Sequence, residues 1–224
     1  LERNGDKVLV KVKVPRNNSN NISSDLVIRV PEGSAIDVST VSADITVEEV
    51  GGEQNLHTVS GDVITQAAGS DISAQAVSGD VEVTGDGGEA ETSANTVSGD
   101  VTIVGVSGSV EAEAVSGDLM VRDGSFERAS LNTVNGEIGF QAGLDSGGKL
   151  TVESVNGDVD IQFDGSVSAR FDIETFNGDI SNCFGPKAER TSKYAPGWEL
   201  SFTRGDGDGR VTISTLNGDI DLCD

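Results

Sequence analysis

A parallel β-solenoid is the fold that the sequence predicts, and three features of the chain indicate it. A unit of the form Thr-Val-Ser-Gly-Asp-Val recurs nine times along the chain at nearly regular intervals. Aliphatic residues occupy the same positions in each copy, and short turn-forming residues separate two alternating segments. A fixed period of about 20 residues is typical of solenoids, because each repeat buries its apolar side only by stacking on its neighbours. We therefore expect an all-β, single-stranded parallel β-helix of about nine coils, each of roughly 18–21 residues.

The acidic residue of each copy provides a reference position, which we number zero. These residues are Asp44, Asp62, Asp80, Asp100, Asp118, Glu137, Asp158, Asp179 and Asp219. Successive copies follow one another at nearly equal steps, except the last step, from Asp179 to Asp219, which spans two periods. The long step predicts an insertion at about residues 182–210 within a solenoid that covers residues 36–224.

Residues 1–35 do not fit the repeat. Apolar alternation there predicts strands over Lys7–Val14 and Asp25–Val30. The first coil of a solenoid has no neighbour on its outer side, so its backbone hydrogen-bonding groups need cover. We therefore expect this N-terminal segment to cap the solenoid.

Aligned on position zero, the copies show apolar columns at −6, −3, +1 and +3. Stacked parallel strands keep β-branched and aliphatic residues on their buried side, so all four columns are expected to face the interior. Positions −8, −6 and −4 also alternate as one strand, and an inward residue at −3 would break that alternation. A bend is therefore predicted between −4 and −3. In the copy of Asp100, Val97 and Val101 are both predicted to be buried.

The nine acidic reference residues are interpreted first as a structural turn ladder, because Gly permits a tight corner and Asp accepts hydrogen bonds from nearby backbone N–H groups. Carboxylates stacked about 5 Å apart repel each other by about 1 kcal/mol in water, so calcium bridging between coils is the alternative. The calcium candidates are Asp62, Asp80, Asp100, Asp118, Asp206 and Asp208. The chain lacks the calcium-binding Gly-Gly-x-Gly-x-Asp repeat, and no cofactor is expected.

The formal net charge is −23, and no Lys or Arg occurs from Pro31 to Val121, where there are 17 Asp and Glu residues. Such a surface repels nucleic acid, which binds proteins through clustered Lys and Arg. It suits divalent cations or cationic peptides. No apolar run approaches the roughly 18 residues of a membrane span, so no span is expected in this chain.

The predicted insertion holds Tyr194 and Trp198, the one Tyr and the one Trp of the chain. Long excursions from repeat architectures often bind partners, so both residues are candidate partner contacts. The alternative is structural, because the segment that begins at Trp198 alternates like a strand and would pack on the solenoid end. His57 is the one histidine, so no site that needs two histidines is possible.

The two cysteines predict a disulfide, with two free thiols as the alternative. Cys183 follows Asp179 by four residues, and Cys223 follows Asp219 by four residues, so both occupy one column. If these two coils stack directly, the Cα atoms lie about 5 Å apart, within the range for a disulfide. The bond would tie down the last coil, expected to have one neighbour only, and it suits an oxidising compartment.

The repeat units, the Val-Pro-Glu-Gly-Ser segment before them (Val30–Ser34) and the closing segment from Arg204 to Ile220 resemble bacterial adhesins built from β-strand repeats, a domain family of unknown function. The resemblance implies a right-handed parallel β-helix and export to the cell envelope, in the periplasm, on the cell surface or secreted. A signal peptide is then expected upstream of this sequence.

These observations predict a non-enzymatic, exported β-helix that acts as a cell-surface adhesin or envelope interaction scaffold, with a protein or glycan partner. Two alternatives belong to other classes. One is a polysaccharide-cleaving β-helix enzyme that uses paired carboxylates such as those of Asp158, Asp160 and Asp179. The other is an envelope stress protein that binds cations or cationic peptides.

Overall fold

The structure is a computed structural model that describes residues 2–12, 25–192 and 196–223. The chain forms two compact units, Leu1–Val30 and Pro31–Asp224. In the first unit, β1 (Glu2–Asn4) pairs antiparallel with β2 (Lys7–Leu9). Within the described residues, the strand predicted over Lys7–Val14 is shorter than expected and ends at Leu9, while Lys13 and Val14 lie outside those residues. The strand predicted over Asp25–Val30 is wrong, because apolar alternation does not form a strand where no neighbouring backbone pairs with it. The capping role of residues 1–35 stays a prediction.

All remaining strands lie in the second unit. They are β3 (Ile36–Ser39), β4 (Ile45–Val47), β5 (Gln54–Ser60), β6 (Val63–Ala67), β7 (Ile72–Ser78), β8 (Val81–Gly85), β9 (Glu89–Ser98), β10 (Val101–Val104), β11 (Ser107–Ser116), β12 (Leu119–Asn135), β13 (Ile138–Asn156), β14 (Val159–Phe163), β15 (Ala169–Asn177), β16 (Ile180–Asn182), β17 (Glu189–Arg190), β18 (Trp198–Arg204), β19 (Gly209–Asn217) and β20 (Ile220–Cys223).

Each coil consists of a first strand, a corner at the Gly and acidic positions, and a second strand. Equivalent strands of neighbouring coils pair in parallel, as β5 does with β7 and β6 with β8. The predicted β-solenoid is confirmed, and the described residues contain no helix. It makes about seven turns rather than nine. The first copy contributes strands of only 4 and 3 residues, and the copy of Asp179 contributes a second strand of only 3, so the end copies form incomplete coils.

The interior is a narrow stack of aliphatic and small side chains. In the coil of Asp100, Ala94, Val101 and Ile103 are buried, as predicted for −6, +1 and +3. Toward the C-terminal coils the stack becomes aromatic, with ring centroids of Phe126 and Phe140 5.9 Å apart. Each fully buried aliphatic or aromatic side chain contributes roughly 1.5–3 kcal/mol, so the repeat supplies its own stability.

Column −3 does not face the interior, and that prediction is wrong. Its nine side chains are 39–71% exposed, whereas the residues at −4 of the eight later copies, such as Thr96 at 4%, are buried. The alternation that starts at −8 continues through −3 without a bend, because the first strand runs on to −2 and the chain turns only at the Gly and acidic positions. Small residues at −4 occupy the narrow interior beside the corner, and the larger Val97 points outward.

The last coil in sequence is not the last coil in space. Strand β19 pairs with β13 on one side and with β15 on the other, and β20 lies in the same way between β14 and β16. The coil of Asp219 therefore lies between the coils of Asp158 and Asp179. Its direct stacking on the coil of Asp179 is confirmed, but the expectation that it has a single neighbour is wrong. The chain therefore forms the coil of Asp179 one position away from the coil of Asp158, and its C-terminal coil then occupies the position between them.

The insertion makes this order possible. Strand β18 pairs antiparallel with β15, on the side of β15 that faces away from β19. That side of the coil of Asp179 is therefore occupied before the chain reaches β19. Strand β17 adds a two-residue pairing to β18. The predicted insertion thus forms a short antiparallel end layer rather than a free loop.

Candidate interaction surface

The turn ladder is a continuous hydrogen-bonded structure over most of its length. The Oδ1 atom of Asp62 accepts a hydrogen bond from the backbone N–H of Asp80 at 2.9 Å, and Asp80 accepts in turn from Asp100 at 2.9 Å. The same kind of hydrogen bond joins each pair of neighbouring coils from the copy of Asp44 to the copy of Glu137. In the C-terminal coils, the Oδ1 atom of Asp158 accepts a hydrogen bond from the backbone N–H of Asp219 at 2.8 Å. Finally, Asp219 accepts from the N–H of Asp179 at 2.9 Å. Each carboxylate that accepts such a hydrogen bond therefore joins its own coil to a neighbouring coil.

Beside this ladder, Asn side chains at position −2 form a second one in the C-terminal coils. Nδ2 of Asn156 donates to Oδ1 of Asn135 at 3.0 Å, and Nδ2 of Asn217 donates to Oδ1 of Asn156 at 2.8 Å. Asn177 donates to Asn217 at 2.8 Å. The two ladders hold the corners of successive coils in line.

The calcium candidates outside the ladder lie in a tight turn. The backbone N–H groups of Asp206 and Gly207 donate to Oγ of Ser168, at 3.0 and 3.3 Å, between β18 and β19. The described residues contain no group of three or more His, Cys, Asp or Glu side chains arranged to hold a metal ion. Calcium binding by Asp62, Asp80, Asp100, Asp118, Asp206 or Asp208 remains an untested expectation.

The disulfide predicted from the repeat column is present. Cys183 and Cys223 are bonded, with their Cα atoms 5.1 Å apart. The bond connects the end of β20 to the residue that follows β16. It therefore fastens the returning C-terminal coil to one of the two coils that enclose it.

The two aromatic candidates of the insertion have different outcomes. Trp198 pairs with Thr175 in the end layer and is half-buried, with the guanidinium carbon of Arg190 4.8 Å from its ring centroid. This packing matches the structural alternative for Trp198. Tyr194 lies outside the described residues.

The outer side of the first strands forms a regular surface of the solenoid. We call it the first-strand face and define it by positions −9, −7, −5 and −3 of eight neighbouring coils, in β5, β7, β9, β11, the C-terminal halves of β12 and β13, β19 and β15. In each coil these four positions point outward, while −8, −6 and −4 are buried. His57 lies on this face and is half-buried.

One edge of the first-strand face is an apolar stripe, formed by column −3. In spatial order its residues are Val59, Val77, Val97, Val115, Val134, Val155, Leu216 and Phe176, and Val41 of the first copy extends it. A shallow groove of about 670 Å³ runs beside it, with small residues such as Ala76 and Ala114 among those that line it. The stripe exposes a continuous row of side chains that sequence analysis placed in the core.

The other edge is a charge ladder, formed by column −9. In spatial order its residues are Glu53, Asp71, Glu91, Ser109, Arg128, Lys149, Arg210 and Arg170. The ladder is acidic in the N-terminal coils and basic in the C-terminal coils, with a neutral serine between. The charge ladder was not predicted from the sequence. The signal was available, since the alignment on position zero shows the change of sign at position −9.

The register of the strands places these charges in direct succession. Arg128 lies beside Lys149, Lys149 beside Arg210, and Arg210 beside Arg170. All four side chains are exposed, and none makes an ion pair or a hydrogen bond with any residue that the structure describes. Neighbouring strands lie about 4.8 Å apart, so four unpaired cations stand in one row of a strongly acidic protein.

Helices long and apolar enough to cross a membrane are absent from the residues that the structure describes. In a comparison with known protein families, residues 2–223 match the model of Toastrack DUF4097. Neither a curated protein nor a solved structure matches the chain significantly. The expected resemblance to adhesins therefore holds for the β-helix repeats and the unknown function, and nothing in the comparisons addresses adhesion. Because the match covers nearly all of its length, the chain belongs to the Toastrack DUF4097 family.

Proposed function

We propose that this protein is a non-enzymatic, exported scaffold of the cell envelope that binds another protein through its first-strand face. The observation that carries the proposal is the combination, on one face, of an exposed apolar stripe with a charge ladder whose four basic side chains are unpaired among the described residues. The stripe supplies apolar area for binding, and the ladder supplies orientation and specificity.

The apolar stripe supports a binding role, because soluble proteins rarely expose large continuous apolar patches. Val77, Val97 and Val115 are each 39–46% exposed on adjacent coils, although their positions could hold polar residues without loss to the core. Solenoids commonly bind partners through such extended, regular surfaces. An adhesin is the version of this proposal in which the partner lies outside the cell.

The hydrogen bonds that the carboxylates accept from the backbone support a scaffold rather than an enzyme. A glycoside-cleaving site needs two carboxyl groups that converge on one bond. Here Asp158 accepts the N–H of Asp219, and Asp219 accepts that of Asp179, in the same way as along the rest of the turn ladder. The disulfide supports export, since structural disulfides are typical of oxidising compartments.

The proposal is tested by site-specific photocrosslinking in the native envelope. A photoreactive residue at Val97, 46% exposed on the stripe, is expected to give a defined protein adduct. The same residue at Met120, 39% exposed on the second-strand side, is the matched control and is expected to give none. Equal labelling at both positions, or none at either, would contradict the proposal.

A further inference from the structure

The first-strand face is complementary to itself, and we infer that it docks on the same face of a second copy of this chain, with the two solenoids antiparallel. The inference rests on the proposed function, because it names the partner of the same surface. The charge ladder runs from Glu53, Asp71 and Glu91 to Arg128, Lys149, Arg210 and Arg170. Reversing one copy brings the acidic half of each ladder opposite the basic half of the other.

A specific register follows from a two-fold axis parallel to the strands, placed between the coils of Asp118 and Glu137. This axis keeps every column opposite itself, reverses the order of the coils and sets eight coils against eight. In the charge ladder, Glu91 then faces Lys149 of the second copy, Asp71 faces Arg210, Glu53 faces Arg170, and Ser109 faces Arg128.

The remaining columns agree with this register. In the apolar stripe, Val115 faces Val134 of the second copy, Val97 faces Val155, Val77 faces Leu216, and Val59 faces Phe176. In column −5, His57 faces Glu174 and Asn95 faces Glu153. No charged residue in the four columns meets a residue of like charge. One arrangement of the two copies therefore packs the apolar stripes on each other and also pairs the opposite charges of the two ladders.

Other registers of the same face are less favourable. An axis through the coil of Asp118 itself would set Glu111 and Glu113 each against its own counterpart. A parallel arrangement, with the axis along the solenoid, would place the charge ladder against the apolar stripe and bury charges without partners, which is costly. The antiparallel register between the coils of Asp118 and Glu137 is the one that forms three acid–base contacts in each half and also brings no two like charges together.

The face is large enough for a stable dimer. Eight coils spaced about 4.8 Å apart span about 38 Å, and the stretch from −9 to −3 spans about 20 Å along the strands. Their product is about 760 Å² per copy, against roughly 800 Å² per partner in a standard specific interface. The net charge of −23 opposes association, so local complementarity must determine whether the copies dock.

Charge reversal separates ladder pairing from net charge. E91K makes the chain less acidic, so general electrostatics predicts tighter association, whereas the ladder predicts at least tenfold weaker dimerisation. K149E is expected to weaken it similarly. The double variant E91K/K149E restores opposite signs at both contacts and is expected to recover the wild-type dissociation constant within about threefold. Sedimentation velocity at fixed ionic strength measures all four proteins, and unchanged melting temperatures show that each is folded.

Cysteine crosslinking tests the register. Copies carrying V59C mixed with copies carrying F176C are expected to form a disulfide-linked heterodimer, because these positions face each other in the proposed dimer. Either variant alone, or V59C mixed with V115C, is expected to give little product, since the thiols are then several coils apart. Crosslinking that is equal in all mixtures would overturn the register.

The inference fails if the purified wild-type protein stays monomeric at every accessible concentration, or if E91K tightens association. The photocrosslink at Val97 distinguishes this failure from failure of the proposed function. An adduct with a different protein, together with a monomeric purified chain, would retain the scaffold and remove self-docking. An adduct with a second copy, lost in E91K and regained in E91K/K149E, is the expected result. No adduct would remove both.

Discussion

Val97 and Val101 have the same side chain and lie in the same repeat, yet Val97 is 46% exposed and Val101 is 1% exposed. The difference comes from the parity of the strands on either side of the corner. Val101 starts a second strand with its side chain inward, whereas Val97 follows a buried Thr96 in the first strand. Hydrophobicity alone therefore does not identify which side of a coil a residue occupies.

This contrast gives a prediction at the scale of single residues. V101D places a charge among apolar side chains and is expected to lower the free energy of unfolding by several kcal/mol or to prevent folding. V97D places the same charge in solvent and is expected to change it by less than about 1 kcal/mol. Urea unfolding of both variants is the measurement. Equal losses of stability in the two variants would contradict the outward orientation of Val97.

A second residue-scale prediction concerns the corner glycines. A Cβ atom on Gly99 would lie 2.2 Å from the backbone oxygen of Gly79 in the next coil, and the φ of Gly99 is 150°. G99A is expected to cost several kcal/mol, because neither backbone can move without disturbing the stack. G139A is the control, since its Cβ would meet the flexible end of Met120 at 2.6 Å. Comparable thermal stability of the two variants would contradict the close approach of the corners.

At the scale of an element, the returning C-terminal coil is held on both sides. The N–H of Gly157 donates to the carbonyl of Asn217 at 3.0 Å, and the N–H of Gly218 donates to Asn177 at 2.9 Å. On the inside, Val211, Ile213 and other apolar residues of this coil are fully buried. Among the described residues, no strand of the coil of Asp158 pairs with a strand of the coil of Asp179, because the returning coil pairs with both.

Removing the disulfide tests how firmly this coil is held. The bond closes a loop with a sequence separation of 40 residues, so C183S/C223S is expected to lower the free energy of unfolding by about 3–4 kcal/mol. Urea unfolding under oxidising conditions measures the loss. Wild-type protein with a reductant serves as the control and is expected to match the variant. A stability equal to that of the oxidised wild type would indicate that the bond constrains nothing.

Hydrogen exchange tests the order of the coils. If the C-terminal coil lies between its neighbours, loosening it in C183S/C223S is expected to raise exchange at the N–H of Gly157 and of Val159, which donate to Asn217 and Asp219. In a solenoid stacked in sequence order, those groups would be covered by the coil of Asp179 and would stay protected. Unchanged protection at Gly157 and Val159, with faster exchange only in β20, would contradict the inserted position.

At the scale of the whole molecule, the turn ladder bears on the calcium hypothesis. Seven of its nine carboxylates accept a hydrogen bond from a backbone N–H of a neighbouring coil. Millimolar calcium is therefore expected to raise the melting temperature no more than magnesium at matched ionic strength, through screening of the net charge of −23. Thermal melts in both salts are the measurement. A rise of many degrees with calcium alone would show that the ladder binds it.

Much of the fold could be predicted from the repeat. The period, the buried +1 and +3 columns, the turn residues and the cysteine column are local properties of each copy, and stacking repeats them without alteration. The charge ladder was also present in the sequence, at position −9. It was not recognised because charged residues at outward positions do not help to predict the fold. Whether such charges form a row depends on which coils are neighbours.

The repeat alone predicts that this chain coils, where each coil turns and which two cysteines can meet, since these depend on contacts within or between equivalent repeats. It did not determine the side on which column −3 lies, because both sides of a strand accept valine. Nor did it determine the order of the last coils, since the copies of Asp179 and Asp219 each fit on the coil of Asp158. That order follows from the tertiary fold, because β18 pairs antiparallel with β15, occupies the free side of β15 and leaves the returning coil a single position between its neighbours.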